Sequence, residues 1–294
     1  MEIKKVGVVG CGLMGHGIAQ VCAQKGGWEV AVVEIDSDQL SKGIAKIEKQ
    51  LTRAVDKGKL DQAEADAVRE RITGGTDNSA LADCDLVIEA ITEDLDRKLD
   101  LWRELDGIVK DDALFATNTS SLSVADQAGA TSRAGRFIGL HFFNPAQVMP
   151  LLEVVRSEES DDDAVDAGFA FGETLGKTTV AAGDNRGFIV NRLLVPYMLD
   201  AINAYEAGIG SIADIDAGMI AGASHPMGPI TLADFVGLDT LASIAKVMHA
   251  DYGEERFAAP PTLTKLVEAG HFGRKSGRGY YDYSGDEPKP VDPQ

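Results

Sequence analysis

The sequence predicts an α/β fold in which a doubly wound, mainly parallel sheet is followed by an all-α C-terminal domain. Two observations predict it. Short β-branched runs alternate with amphipathic stretches in the first half of the chain, which is the pattern of βαβ units packed into a parallel sheet. After about residue 186, every segment has a helical pattern. The predicted strands are KKVGVVG (4–10), WEVAVVEI (28–35), DLVIEAI (85–91), ALFATN (113–118), RFIGLHFF (136–143), LLEVV (151–155) and TTVAA (178–182).

Helical segments lie between these strands and make up most of the remaining chain. Residues 37–72 predict two long, charged helices that break near Lys57-Gly58, an insertion larger than a minimal crossover needs. The acidic stretch SEESDDDAVD is typical of a helix start, where carboxylates interact favourably with the helix dipole. The helical segments of the second half are FIVNRLLVPYMLDAINAYEAG, IADIDAGMIAG, ITLADFVGLDTLASIAKVMHADY and TLTKLVEAG.

A glycine-rich stretch, GDNRG at 183–187, ends the strand-bearing part of the chain. We place the domain boundary there, because strand patterns precede it and helical patterns follow it. The sequence therefore predicts one domain at residues 1–186 and a helical domain at 187–294. The last residues, SGDEPKPVDPQ, are polar and proline-rich, so we expect a disordered tail from about residue 284.

The chain is strongly acidic, since 28 Lys and Arg residues face 47 Asp and Glu residues and give a formal net charge of −19. Such a field repels nucleic acid and anionic membranes, so neither is an expected partner. Any phosphate site must therefore be built from backbone N–H groups and a few placed cations. The charge is explained either by a halophilic cell with a high-salt interior, where salt screens it, or by ordinary solubility.

The cysteines and the N-terminus indicate where the protein resides. Cys11, Cys22 and Cys84 have neither paired nor metal-ligand spacing, which favours a reducing compartment. The N-terminal MEIKKVGVVG lacks the apolar core and cleavage site of a signal peptide. No run approaches the roughly eighteen apolar residues of a membrane span. We therefore expect a cytoplasmic protein without a metal site.

A G-x-G-x-x-G motif, residues 10–15, follows the first predicted strand and opens a helix. Its first glycine permits a tight turn, the second lets a pyrophosphate approach the backbone, and the third lets helix and strand pack closely. The second strand ends at Glu34, where a carboxylate would bind both ribose hydroxyls and repel a 2′-phosphate; Asp36 could share this role. The motif predicts a Rossmann-type domain that binds NAD rather than NADP through Gly10, Gly12, Leu13, Met14, Gly15 and Glu34.

One histidine and one glutamate interrupt the apolar stretch GLHFFNPAQVMPLLEVV (139–155). A dehydrogenase that acts on an alcohol must remove the hydroxyl proton as hydride leaves carbon, and His141 suits this task near neutral pH. Glu153, on the next strand, could fix the imidazole tautomer if Asn144-Pro145 opens the turn between the strands. A structural histidine held by a backbone carbonyl is the alternative. The position of His141 after the nucleotide-binding half favours the catalytic interpretation.

The chain resembles the L-3-hydroxyacyl-CoA dehydrogenases of fatty acid β-oxidation and their close relatives, the 3-hydroxybutyryl-CoA dehydrogenases. It departs from the family pattern at Arg186, where proline is frequent, and at Pro150, where lysine is frequent. The similar segments, which run in the family's order from residue 6 to 283, are GCGLMGHGIAQ, DLVIEAITED, ATNTSSLSV, GLHFFNP, LLEVV, GFIVNRLLVPYMLDAI, HPMGPITLADFVGLDT and GRKSGRGYYDY.

The resemblance implies an NAD-dependent enzyme that oxidises (S)-3-hydroxyacyl-CoA to 3-ketoacyl-CoA. His141 would be the general base and Glu153 its partner. Ser120 would hydrogen-bond the substrate oxygen, and Asn191 would position the thioester and the histidine from the second domain. The residues that the resemblance implies near the cofactor are Glu93, Lys98, Asn118 and Asn144.

By chemistry alone, several of these residues have ordinary structural interpretations. Glu93 and Lys98 would be solvated charges on the first turns of a helix. Ser120 and Ser121 would be an N-cap pair for the helix SVADQAGA, and Asn191 an exposed polar residue of a helix. Only the resemblance assigns them to a site.

The resemblance and the helical second domain together indicate the partners. We expect the active site in the cleft between the domains, which would close on acyl-CoA. The apolar faces of the C-terminal helices exceed what one small domain buries, so a homodimer is expected. No crotonase-type hydratase segment is present, which predicts a separate enoyl-CoA hydratase. β-oxidation would run the reaction oxidatively, whereas butyrate or polyester synthesis would run it reductively.

Two other functions are compatible with a dinucleotide-binding domain joined to a helical one. A dehydrogenase of small β-hydroxy acids would use a lysine in the helical domain, where GFIVNRLL has asparagine and arginine instead. A non-catalytic NAD-binding protein, structural or redox-sensing, would not require Ser120, His141, Glu153 and Asn191 together. The resemblance favours the 3-hydroxyacyl-CoA dehydrogenase over both.

Overall fold

An eight-stranded sheet forms the centre of the first part of the computed structural model, which describes residues 1–293. Its strands are β1 (Lys5–Val9), β2 (Glu29–Val33), β3 (Ile72–Gly75), β4 (Leu86–Glu89), β5 (Leu114–Thr117), β6 (Phe137–Phe142), β7 (Leu151–Arg156) and β8 (Thr178–Gly183). The strand order is β3-β2-β1-β4-β5-β6-β7-β8. Neighbouring strands are parallel except β6 and β7, which are antiparallel. The predicted doubly wound, mainly parallel sheet is confirmed.

Helices cover both faces of this sheet, as crossover connections in a parallel sheet require. They are α1 (Gly15–Val21), α2 (Ser37–Asp56), α3 (Gln62–Arg71), α4 (Leu95–Asp106), α5 (Val124–Ala128) and α6 (Asp162–Thr174). One core cluster lies under α1, α2, α3 and α6, and the other lies under α4 and α5. Because side chains alternate between the two faces of a strand, each strand contributes to both clusters. On β6, Ile138 and Leu140 belong to the first cluster, and Phe137 belongs to the second.

Strand β3 was not predicted, because the sequence indicated that helix continues to residue 72. The strand has the sequence ITGG, with two glycines among its four residues. Glycine disfavours strands and carries no side chain that would show a pattern. Tertiary pairing with β2 forms this edge strand, in the register Val30↔Ile72 to Val33↔Gly75.

The chain divides into two compact units, Met1–Phe188 and Ile189–Gln294. The second unit has a core of its own, to which α7, α9 and α10 contribute buried aliphatic side chains. Its helices are α7 (Val190–Glu206), α8 (Ile212–Ala223), α9 (Pro229–Val236), α10 (Leu238–Tyr252) and α11 (Pro261–Glu268). Within residues 1–293, every helix is too short or too polar to traverse a lipid bilayer.

The C-terminal segment differs from the predicted disordered tail. A two-stranded antiparallel ribbon joins β9 (Tyr281–Asp282) to β10 (Lys289–Pro290). Beyond it, the Val291 N–H donates to the Tyr280 carbonyl, at 2.8 Å. The expectation of disorder rested on composition alone, whereas backbone pairing with β9 orders these polar residues in the structure.

The three cysteines are buried, free thiols. Burial raises the pKa of Cys11 to about 11 and that of Cys84 to about 12, and burial raises the pKa of Cys22 as well. All three therefore remain protonated and unreactive near neutral pH. Among residues 1–293, no three His, Cys, Asp or Glu side chains gather as a metal ion would require.

Candidate active site

The glycine loop, residues 10–15, connects β1 to α1 and has one role for each glycine. Gly10 has a φ of +92°, and a Cβ there would lie 2.6 Å from the Ala90 carbonyl oxygen. A Cβ on Gly15 would lie 1.8 Å from the Gly10 carbonyl oxygen, so α1 begins this close to β1 only with glycine. A Cβ on Gly12 would meet no protein atom within 4 Å. The loop is therefore tightly packed at both ends and open in the middle.

The start of α1 fits the diphosphate of a dinucleotide. The N-cap residue, Met14, makes no side-chain capping hydrogen bond, and the first turn contains no acidic residue. The first N–H groups of a helix have no partner within it and attract anions. The helix continues through a π-helical turn, Cys22–Gly26, so its axis extends well beyond the loop. Backbone groups can therefore bind phosphate here without a cationic side chain.

Glu34 lies beside this loop, directly after β2. One carboxylate oxygen accepts a hydrogen bond from the Cys11 N–H at 2.6 Å, and the other accepts one from the Ile35 N–H at 2.9 Å. Asp36 is engaged differently, because it is the N-cap of α2 and accepts a hydrogen bond from the Gln39 N–H at 2.8 Å. Glu34 is therefore the carboxylate closer to the glycine loop, where an adenosine ribose would bind.

A fully buried ion pair lies at the carboxyl end of β4. The Lys98 amine, on α4, donates to both carboxylate oxygens of Glu89, at 2.7 and 2.8 Å, and neither side chain is exposed. The Thr117 hydroxyl donates to the same carboxylate at 2.7 Å, and so does the Ile91 N–H at 2.8 Å. Burial raises the pKa of Glu89 above its ordinary value in spite of these donors.

A second carboxylate, Glu93, organises the turn that follows β5. One of its oxygens accepts hydrogen bonds from the Thr119 hydroxyl at 2.5 Å, the Ser120 N–H at 2.9 Å and the Ser121 N–H at 3.2 Å. The Lys98 amine lies 3.4 Å from the other oxygen. Burial acts to raise the pKa of Glu93, but the charge of Lys98 and the hydrogen bonds from Thr119 and Ser120 hold it below the ordinary value.

Asn118 ties the ends of three neighbouring strands together. Its N–H donates to the Glu89 carbonyl at 2.8 Å, and its side-chain oxygen accepts from the Phe142 N–H at 3.1 Å. Ser120 is half-buried two residues further on. The helix α5 begins later than a Ser120–Ser121 cap would place it, because its N-cap is Ser123.

His141 and Glu153 face each other across the antiparallel strands β6 and β7. They are direct partners in the strand register, which places both side chains on the same face of the sheet. His141 Nδ1 lies 2.5 Å from a carboxylate oxygen of Glu153. The two residues are 4% and 0% exposed, so this contact is sheltered from solvent. The register of β6 and β7 therefore brings His141 and Glu153 together, as expected for two strands joined by a turn at Asn144-Pro145.

The pairing determines what the imidazole can do. Because the Nδ1–H group of His141 donates a hydrogen bond to the carboxylate, the neutral ring carries its free lone pair on Nε2, and that nitrogen can take a proton from an alcohol. The rings of Phe143 and Phe188 lie at centroid distances of 4.5 and 5.4 Å from the imidazole. Apolar rings beside the pair limit competing hydrogen bonds from water and so preserve its orientation.

Two predicted site residues belong to other segments of the chain. Asn144 is exposed in the segment that joins β6 to β7 and precedes Pro145 through a cis peptide bond. Asn191 is half-buried near the start of α7, in the second unit, whereas all the other predicted site residues belong to the first.

Both halves of the chain match models of one protein family. Residues 5–185 match the model described as "3-hydroxyacyl-CoA dehydrogenase, NAD binding domain", and residues 187–283 match "3-hydroxyacyl-CoA dehydrogenase, C-terminal domain". The chain belongs to the 3-hydroxyacyl-CoA dehydrogenase family. Its cofactor is NAD, so the predictions of the family and of the dinucleotide are both confirmed.

Individual members of the 3-hydroxyacyl-CoA dehydrogenase family resemble the chain over nearly its whole length. A 3-hydroxybutyryl-CoA dehydrogenase of Mycobacterium tuberculosis is 47% identical over 283 residues, which cover 96% of this chain and 99% of the relative. One of Bradyrhizobium diazoefficiens is 43% identical over 289 residues, or 98% of each chain. The crystal structure of (S)-3-hydroxybutyryl-CoA dehydrogenase from Ralstonia eutropha has a TM-score of 0.92 and 40% identity, and the match covers 97% of this chain and all of that one.

Glu89 belongs to the group of buried side chains at the carboxyl end of β4 but not to the site residues predicted from the sequence. The signal for it is present, since Glu89 interrupts the apolar run DLVIEAI as His141 interrupts its own run. Lys98 was identified only by resemblance and was otherwise expected to be a solvated charge. The structure shows that it is fully buried against Glu89. A buried carboxylate requires a partner of opposite charge, and the nearest lysine along the chain supplies it.

Proposed function

We propose that this dehydrogenase oxidises (S)-3-hydroxyacyl-CoA to 3-ketoacyl-CoA with NAD. The observation that carries the proposal is the buried contact of 2.5 Å between His141 Nδ1 and Glu153, near the carboxyl end of β6 and in the same unit as the glycine loop. A histidine oriented by a carboxylate is suited to removing a hydroxyl proton. The relatives described above are named as 3-hydroxybutyryl-CoA dehydrogenases, so the four-carbon thioester is the first substrate to test.

In this proposal, Nε2 of His141 accepts the proton of the C3 hydroxyl group. The carboxylate of Glu153 stabilises the imidazolium that forms. NAD, when bound, accepts the hydride that leaves C3. The hydroxyl oxygen becomes the ketone oxygen, and Ser120 donates a hydrogen bond to it. In the reductive direction, His141 returns the proton to that oxygen.

The proposed roles of the other site residues are supported either by hydrogen bonds in the structure or by the family resemblance. Glu93 and Lys98 line the cofactor site beside the turn that carries Ser120, to which Glu93 is hydrogen-bonded. Asn118 supports the same site, since it links the ends of β4, β5 and β6. The roles of Asn144 near the cofactor and of Asn191 at the thioester rest on the family resemblance.

The test is formation of NADH from (S)-3-hydroxybutyryl-CoA, measured with NAD and with NADP. We expect turnover with NAD, and a loss of at least about 100-fold in kcat for His141→Gln with NAD affinity unchanged. Glu153→Gln should also lower kcat, because a neutral amide stabilises the imidazolium less than a carboxylate does. The matched control is His271→Gln, which alters a half-buried histidine of the second unit.

Three results would contradict the proposal. Full activity of His141→Gln would remove the assigned base. Turnover of free 3-hydroxybutyrate in place of its thioester would indicate a small β-hydroxy acid dehydrogenase. Binding of NAD without turnover of four-carbon or longer acyl-CoA substrates would indicate a non-catalytic NAD-binding protein.

We propose that the domain boundary lies near residue 186 and that residues 187–294 form a homodimer interface. Large apolar side chains of this region are exposed: Leu193 at 64%, Phe235 at 56% and Ile220 at 45%. Exposed apolar residues on several helices of one unit are typical of a subunit interface. Native mass spectrometry is expected to detect a dimer, and a monodisperse monomer at physiological salt would contradict it.

The cellular setting is also a proposal. We propose a cytoplasmic enzyme of β-oxidation or butyryl-CoA metabolism that works with a separate enoyl-CoA hydratase. The net charge of −19 supports a halophilic origin, because high salt screens the repulsion between carboxylates. A salt titration of activity and unfolding tests this last point, and full stability in dilute buffer would contradict it.

A further inference from the structure

A chain of hydrogen bonds connects the glycine loop to the segment that joins the strands of His141 and Glu153. This connecting segment, residues 143–150, is called the 143–150 segment below. The Gly12 carbonyl lies 2.6 Å from Nδ1 of His16, and the other ring nitrogen of His16 lies 3.0 Å from the side-chain nitrogen of Gln50. The side-chain oxygen of Gln50 accepts a hydrogen bond of 2.5 Å from Gln147, which belongs to the 143–150 segment.

The chemistry of the groups gives this chain one direction. A carbonyl oxygen only accepts, so Nδ1 of His16 must carry the proton donated to Gly12, and in the neutral ring Nε2 is then an acceptor. Gln50 therefore donates to His16 through its NH₂ group and accepts from Gln147 through its oxygen. Burial lowers the pKa of His16, which is 7% exposed, and this favours the neutral ring that the chain requires.

His16 orients a peptide group at the open part of the glycine loop. In a planar trans peptide, the C=O of one residue and the N–H of the next point in opposite directions. Holding the Gly12 carbonyl at His16 therefore directs the Leu13 N–H away from His16. A Cβ on Gly12 would meet no protein atom within 4 Å, so the backbone at this peptide is accessible to a phosphate.

The 143–150 segment is packed closely against α1 and is held from a second direction. A Cβ on Gly17 of α1 would lie 2.4 Å from the side-chain oxygen of Gln147, so glycine allows this approach. The Lys177 amine donates to the carbonyls of Ala146 and Met149, at 2.6 Å each. Displacing Gln147 would thus disturb a segment whose two ends continue directly into β6 and β7.

We propose that His16, Gln50 and Gln147 are positioning residues that couple NAD binding at the glycine loop to the segment between the two catalytic strands. Gln147 belongs to a different loop from the phosphate-binding backbone, and its hydrogen-bonded connection to that backbone runs through the other two side chains. Because coupling is reciprocal, bound NAD stabilises the same arrangement of the 143–150 segment. The inference rests on the proposed function only where catalysis is the readout.

The test is the Kd of NAD, measured by calorimetry for Gln50→Leu, Gln147→Leu and the double variant. Each single variant is expected to raise the Kd about three- to tenfold, the effect of losing one or two buried hydrogen bonds. The double variant should be no weaker than the weaker single variant, because both interrupt one chain. The matched control is Gln62→Leu, since Gln62 is exposed and bonded within its own helix to Asp66.

A carboxylate at position 50 distinguishes coupling from a general loss of packing. In Gln50→Glu, the new carboxylate favours the protonated form of His16, whose Nε2–H group can then donate to it, and the carboxylate still accepts a hydrogen bond from Gln147, so the chain is restored. We expect its Kd for NAD to lie closer to the wild-type value than that of Gln50→Leu. The opposite order would overturn the proposal.

Two further outcomes would overturn it. One is a Kd within twofold of wild type for folded Gln147→Leu, and the other is additive effects in the double variant. Should Gln147→Leu fail to fold, Gln147→Asn keeps the amide but is one methylene too short for Gln50, and it must raise the Kd in the same direction. Calorimetry needs no substrate, so a lack of turnover with 3-hydroxybutyryl-CoA would count against the proposed function and leave this test intact.

Discussion

Replacing Lys98 by methionine is expected to destabilise the first unit by about 3–5 kcal/mol. The amine contacts both oxygens of Glu89, at 2.7 and 2.8 Å, and both side chains are fully buried. Removing it leaves a buried carboxylate with the Thr117 hydroxyl and the Ile91 N–H as donors. These two hydrogen bonds compensate the buried charge only in part, because neither donor is charged.

The double variant Glu89→Gln/Lys98→Met tests whether the buried charge causes this loss. With both charges of the fully buried pair removed, the remaining carboxylate is Glu93, whose side chain is 38% exposed and keeps its hydrogen bonds from Thr119 and Ser120, and we expect stability within about 1–2 kcal/mol of wild type. The loss in Lys98→Met should therefore exceed the loss in the double variant. Such non-additivity is the signature of a direct interaction between the two side chains.

The loss in Lys98→Met should also depend on pH. Burial already raises the pKa of Glu89 in the folded protein, and removing Lys98 raises it further. A carboxyl group whose folded pKa lies above its unfolded value binds its proton more tightly when folded. Folding is therefore favoured as pH falls through the folded pKa and disfavoured as pH rises through it. The stability deficit of the variant relative to wild type should shrink between pH 8 and pH 5.

The assay is urea unfolding followed by tryptophan fluorescence. The chain has 2 tryptophans, Trp28 and Trp102, and both lie in the first unit, so the signal reports on that unit alone. The control is Arg103→Met, which removes an exposed ion pair with Asp100 on the same helix and should cost less than about 1 kcal/mol. A loss below 1 kcal/mol in Lys98→Met at pH 8, or additive single variants, would refute the reasoning.

Three other outcomes are expected. Glu34→Ala should raise the KM for NAD and reduce the preference for NAD over NADP, and an unchanged ratio of the two kcat/KM values would remove Glu34 from the ribose site. Gly12→Ala should weaken NAD binding, measured by calorimetry, without changing the melting temperature, because a Cβ there meets no protein atom within 4 Å. Gly15→Ala should lower the melting temperature in thermal unfolding, because its Cβ would lie 1.8 Å from the Gly10 carbonyl oxygen. Burial raises the pKa of Asp234, in the second unit, to about 6, so that unit should lose about 3 kcal/mol of stability as pH rises from about 4 to above 6. Hydrogen exchange of the α9 amides measures this loss, and Asp234→Asn should abolish its dependence on pH.

The strands and the glycine loop were predictable because their signals are local. β-branched runs report burial on both faces of a strand, and seven of the eight strands of the main sheet overlap the predicted runs, with β7 and β8 each extending one residue beyond them. Gly10 and Gly15 were assigned their roles from strand–loop–helix context, which the positive φ at Gly10 and the close approach at Gly15 confirm. The family and its NAD cofactor also followed from the sequence, because the similar segments extend along almost the whole chain.

Contacts between distant residues required the folded chain. Glu89 and Lys98 form a buried pair, although Lys98 alone has the sequence signature of a surface charge. Strand β3 and the C-terminal ribbon lack strong patterns of their own and form by pairing with a neighbouring strand. His16, Gln50 and Gln147 come from three segments that only the packing of α1 and α2 brings together.

His141 and Glu153 show both kinds of information. The sequence by itself determined that two ionisable residues occur in strands that are otherwise apolar, which predicts that they are buried together. The tertiary structure decided that they are direct partners, because β6 and β7 pair in one register, and a shift of one residue would place the two side chains on opposite faces. Composition and periodicity are properties of single segments, whereas register and burial depend on how separate segments pack.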